Sequence, residues 1–125
     1  MSVKYLAIMF CAGGLGALSR FWLSALINSA AGGRFPWGTA LVNLTGCFLF
    51  GLVWGLSGRQ DWPEPLRLIL LAGFLGAFTT FSSLIFDTFI LGEIRPSLAI
   101  ANLAAQLAGG LLLLLLGMRA ARLFG

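Results

Sequence analysis

The sequence predicts an all-α membrane protein, a single domain over residues 1–125 with four transmembrane helices and a break in the third. Three observations predict it. Hydrophobic residues make up 59% of the chain and charged ones only 10%, a balance too apolar for a soluble domain of this size. The apolar residues gather into four runs, about 4–27, 38–57, 66–91 and 97–117, each near the ~20 residues that cross a bilayer as a helix. The third run is interrupted near its middle by Thr79, Thr80, Phe81, Ser82 and Ser83, at a depth where water cannot solvate a hydroxyl.

The first span opens at Lys4 and is rich in glycine at Gly13, Gly14 and Gly16. A cleavable signal peptide has a shorter apolar core and no internal cation, so the length of this run and Arg20 within it favour a retained helix. Arg20 lies within or at the end of the span, where a cation either snorkels to the headgroups or draws anions into a vestibule. The segment 31–36, Ala-Gly-Gly-Arg-Phe-Pro, then breaks the chain.

In the second span Thr39, Asn43 and Gly46 recur at i, i+4 and i+7, so a hydroxyl and an amide share one face. Gly51 and Gly55 make a small-residue row suited to close helix packing. Gly58 through Pro65 form the next connection.

The third span carries the costliest residues. Gly73, Gly76 and Ala77 admit another backbone, and the hydroxyls that follow survive at midplane only if they bond back to their own helix or line a wet path. The stretch reads as part of a pathway. Asp87 lies two turns beyond it, near enough to the far end to reach water or a cationic partner. The turn 92–96 leads to the fourth span, where Asn102, Gln106 and Gly110 form a second polar track beside a small-residue row at Ala101, Ala105 and Gly109. One buried amide is commonly interhelical glue. Two amide tracks facing a broken span favour a polar passage, and small residues on close helices keep it narrow.

Charge and side-chain chemistry exclude several classes. The net charge of +4 is scattered over the connections and forms no nucleic-acid footprint. Lys4, Arg59, Arg67, Arg119 and Arg122 fall on one side of the membrane and Arg34 and Arg95 on the other, which puts both termini in the cytoplasm. Cys11 and Cys47 lie within spans and imply no disulfide. With no histidine and one intramembrane carboxylate, the chain has no transition-metal ligand set and no nucleophile and base of an enzyme. A small multidrug-type transporter would need a carboxylate deep in its first span, and here that span offers Arg20. What Asn, Gln, Thr, Ser and Arg favour is an anion, and the rims of Phe78, Phe81 and Phe86 carry partial positive charge toward it. A small, strongly hydrated anion needs such close donors to replace its water.

Three motifs, Gly-Gly-x-Gly-Ala-x-x-Arg at residues 13–20, Gly-Thr-x-x-x-Asn-x-x-Gly at 38–46 and Gly-Phe-x-Gly-x-x-Thr-Thr-Phe-Ser at 73–82, resemble those of the small bacterial fluoride channels, the Fluc/CrcB family. The resemblance covers essentially the whole chain. It implies a multi-pass protein of the bacterial inner membrane, an antiparallel dual-topology dimer in the lipid bilayer, and two pores that export fluoride passively. It further implies that Asn43 is the pore asparagine, Phe81 the first of two phenylalanines at the ion, and Arg20 the vestibule arginine. The carbonyls of Gly76 and Thr79 would hold a structural sodium ion, and the ion path would run past Thr39, Thr80, Ser82, Ser83, Asn102 and Gln106. One position departs from the family pattern: Leu84 stands where the second phenylalanine is expected, and an aliphatic chain has no positive edge. This departure and the five-to-two charge bias would also fit one half of a heterodimeric channel, so homodimer and heterodimer both stay open.

Overall fold

A computed structural model describes residues 2–124, and the described residues are helical apart from three short connections and the break. Helix α1 (Val3–Ala31) and helix α2 (Trp37–Arg59) form the first hairpin. Its turn runs through Gly32 and Gly33 at φ +60° and +89°, a region L side chains rarely enter. Asn28 of α1 then accepts the Gly38 N–H at 2.7 Å, capping α2 from a neighbouring helix where Pro36 has no hydroxyl to do so.

The third span comprises helix α3 (residues 64–78) and helix α4 (Phe81–Ile94). Within α3 the segment Ile69–Leu75 is π-helical, and its wider turns bond i to i−5, as the Gly76 N–H does to Leu71 O. Nothing in this apolar run predicts that widening. It faces α1, where Gly16 has no Cβ and the Phe74 carbonyl occupies the space one would need. The fourth span is helix α5 (Pro96–Ala120), followed by a short 3₁₀ turn.

All four spans are long and apolar enough to cross a membrane, and the protein is a multi-pass membrane protein. Helices α2 and α5 form its closest pair. A side chain at Gly51 would strike the Leu114 carbonyl and one at Gly117 the Phe48 carbonyl, so glycine on each helix lets backbone meet backbone. The Gly51 and Gly55 row is thus a packing face within the chain, whereas Ala101 and Ala105 face outward. Val42, Leu71, Leu75 and Phe78 make the buried apolar cluster, with Phe74 stacked on Phe78 at 5.9 Å. Phe78 is only 5% exposed and so belongs to the core, not to a path.

Candidate functional site at the break of the third span

The break occupies Thr79 and Thr80, both extended, at φ −89° and −147°. It falls a few residues beyond Gly76, which is still helical. Two unpaired peptide units at this depth demand partners, and Asn43 of α2 supplies them. Its Oδ1 accepts the Thr80 N–H at 2.8 Å and its Nδ2 donates to the Thr80 carbonyl at 3.1 Å, a reciprocal pairing like that between two strands. The Thr79 hydroxyl bonds back to Leu75 O at 3.0 Å, and its methyl fills the space that a Cβ at Gly46 would claim. Thr80 caps α4, accepting from the Ser83 N–H at 3.3 Å and donating to Ser83 Oγ at 3.0 Å. Ser82 Oγ stands 3.3 Å from the same hydroxyl.

The main chain fixes the Asn43 amide, since only its oxygen can meet the Thr80 N–H. Its second N–H therefore points to Gln106 Oε1 of α5, at 2.8 Å. Gln106 Nε2 donates to Asn102 Oδ1 at 2.8 Å, Asn102 Nδ2 to Thr88 Oγ1 at 2.9 Å, and Thr88 to Leu84 O at 2.7 Å. The two polar tracks are thus one relay that runs from Asn43 at the break through Gln106 and Asn102 to Thr88 of α4. Asn102 is fully buried and Gln106 6% exposed. Each keeps one further amide hydrogen beyond the single bond it donates here.

A cleft of about 210 Å³ opens beside this network, lined by Asn43, Cys47, Thr80, Phe81, Leu84 and Gln106. Phe81 is 69% exposed, while Leu84 is buried. The first turn of α4, whose Ser83 N–H is taken by Thr80, brings its positive dipole end to the same place. Thr39 lies farther along α2 beside the Asp87 carboxylate, whose Oδ2 is buried with no hydrogen-bond partner among the described residues. Phe86 is 63% exposed and does not line the cleft.

Arg20 sits well inside α1, which continues to Ala31, about 16 Å farther at 1.5 Å per residue. It therefore does not snorkel from a helix end. Its Nε donates to the Ala77 carbonyl at 3.2 Å, a cation on an orphan carbonyl at the negative end of α3. Sequence spacing could not have found this contact, because the partner is a backbone oxygen 57 positions away. The Gly76 carbonyl loses its normal helical donor, as the Thr80 N–H is taken by Asn43. Among the described residues neither Gly76 O nor Thr79 O accepts a hydrogen bond. The site thus separates by charge: donors, an aromatic edge and a helix N-terminus on the cleft side, and bare carbonyls on the α3 side.

The chain matches the family model described as "CrcB-like protein, Camphor Resistance (CrcB)" over residues 7–118. It is 47% identical over 123 residues to the Fluoride-specific ion channel FluC of Solidesulfovibrio magneticus, covering 97% of this chain and 98% of that one. The protein of the same name from Nitratidesulfovibrio vulgaris (Miyazaki F) is 46% identical, with 97% and 99% covered. That from Nitrosococcus oceani is 44% identical over 114 residues, with 90% and 91% covered.

Proposed function

The chain belongs to the CrcB-like family, and from that premise we propose that it is a fluoride-selective passive channel of the bacterial inner membrane, exporting fluoride through two pores in an antiparallel dimer. The observation that carries this reading is the cleft at the break, where the amides of Asn43 and Gln106 and the Phe81 ring converge. An anion there meets the positive end of α4, the Phe81 rim and the spare hydrogen of Gln106, while Ser82 and Ser83, which do not line the cleft, bond to Thr80. Asn43 reaches the ion by releasing Gln106 Oε1 while keeping its grip on Thr80. Asn102 and Thr39 continue the path along α5 and α2. No step moves a proton, and the driving force is the fluoride gradient alone.

The dimer is supported by what one copy leaves uncovered. Phe81 and the Gly76 backbone are exposed at a depth where an unpaired carbonyl costs several kcal/mol, roughly. A second copy across the break would cover both. With Ala77 O taken by Arg20, the carbonyls of Gly76 and Thr79 remain to hold a structural sodium ion. Neutral oxygens without a carboxylate suit a monovalent cation, which would supply charge to oxygens that no donor reaches.

A half-channel that pairs with an unlike partner is the second reading, favoured by Leu84 in the cleft and by the five-to-two charge bias. Fluoride efflux from liposomes holding only this chain tests the choice. Flux supports the homodimer, and flux restored only by an oppositely oriented partner supports the half-channel.

A further inference from the structure

A second cleft lies far from the break, where α2 and α5 end on the same side of the membrane. Helix α2 closes on Arg59, and Arg119 and Arg122 stand at the end of α5 and one turn beyond. These three residues rim a cleft of about 450 Å³ floored by Trp54, Leu115 and Met118. None of its lining residues is acidic, and among the described residues no carboxylate pairs with Arg119 or Arg122. Arg67 adds a fourth cation, its guanidinium carbon 5.4 Å from the centre of the Trp54 ring.

The polarity of this surface changes along the helix axis. Trp54 and Met118 also line the adjoining recess toward the bilayer centre, together with Phe50, Gly51 and Leu114. Charged rim and apolar furrow are therefore one continuous groove on the α2–α5 seam. Trp54 marks its depth, since a half-exposed tryptophan near a helix end sits at headgroup level.

We propose that this groove binds an anionic phospholipid, its phosphodiester held by Arg119 and Arg122 and one acyl chain laid along Phe50 and Leu114. Arginine suits the headgroup because its planar fork meets two phosphate oxygens at once. The furrow favours a lipid over a free phosphate ion, which has no use for apolar wall. Arg119 and Arg122, which no carboxylate of the described residues pairs, select an anionic headgroup over a zwitterionic one, whose ammonium they repel. The site needs the chain to be membrane-embedded and does not depend on fluoride conduction. In an antiparallel dimer, the two copies would present it to opposite leaflets.

Native mass spectrometry of the purified full-length chain, offered equal amounts of phosphatidylglycerol and phosphatidylcholine, tests the site. Wild type should retain phosphatidylglycerol about tenfold over phosphatidylcholine, and R119Q/R122Q should bring the ratio near one, as expected for loss of two basic residues at an anionic surface. Lys4→Gln, a charge loss on the same membrane side but outside the groove, should leave the ratio unchanged. Charge-retaining R119K/R122K should fall between. Equal retention of the two lipids by wild type overturns the proposal even if the double variant fails to fold. So does an unchanged ratio in R119Q/R122Q, or displacement of the lipid by millimolar inorganic phosphate. Loss of lipid only on dimer formation assigns the groove to a second copy and overturns it too. Fluoride efflux measured alongside keeps the two readings apart: flux without lipid preference rejects this site alone, and preference without flux rejects the channel alone.

Discussion

Asn43 holds the break from a neighbouring helix, with three hydrogen bonds to two different partners. Replacing it with leucine leaves the Thr80 N–H and carbonyl and Gln106 Oε1 unmatched. At about 1 kcal/mol or more for each buried group left unpaired, Asn43→Leu is expected to lower stability by roughly 2–4 kcal/mol and to abolish fluoride flux. Thermal unfolding and liposome efflux on the same preparation measure both. Normal stability would show that Asn43 does not hold the break, and normal flux would remove it from the pathway. The cleft residues give a second pair of outcomes. Leu84→Phe places an aromatic edge where Leu84 now lines the cleft, and should maintain or raise flux. Phe81→Ile removes the exposed ring and should depress it. A fall in flux with Leu84→Phe would mean that the buried position is packing and not path.

The helices depend on contacts between elements as much as on their own sequences. Gly46 admits the Thr79 methyl under the break, so Gly46→Val should displace Thr79 and cost flux about tenfold or more, as angstrom-scale misplacement does in other preorganised sites. Arg20→Gln removes the cation from the carbonyl end of α3 and is expected to destabilise the chain by about 1–2 kcal/mol, read by thermal unfolding. The four spans were legible from apolar run length alone, since lipid tolerates no other patterning, and the break was legible from the hydroxyls at Thr79 to Ser83. The π-helical turns were not, because Gly73, the one glycine in Ile69–Leu75, signals close packing as readily as a widened turn, and the widening faces Gly16 of another helix. The polar tracks were visible as helical spacing. That they join into one relay was not, because Asn43 and Gln106 are 63 positions apart and spacing along one helix says nothing of the helix opposite.

At the scale of the whole molecule, charge and exposed surface set orientation and assembly. Lys4, Arg59, Arg67, Arg119 and Arg122 gather at the end that holds both termini. If the chain is a self-sufficient homodimer, labelling of terminal cysteines in cells should reach both termini from each side of the membrane about equally. A single orientation with cytoplasmic termini is instead the expected mark of the half-channel. Passive movement of fluoride through this chain is the property on which its function turns. Purified chain in liposomes loaded with equal fluoride and chloride, with no proton gradient and no nucleotide, tests it directly. Rapid efflux of fluoride with chloride retained is the expected result. Efflux that appears only when a proton gradient is imposed, or that carries chloride as readily as fluoride, would contradict it.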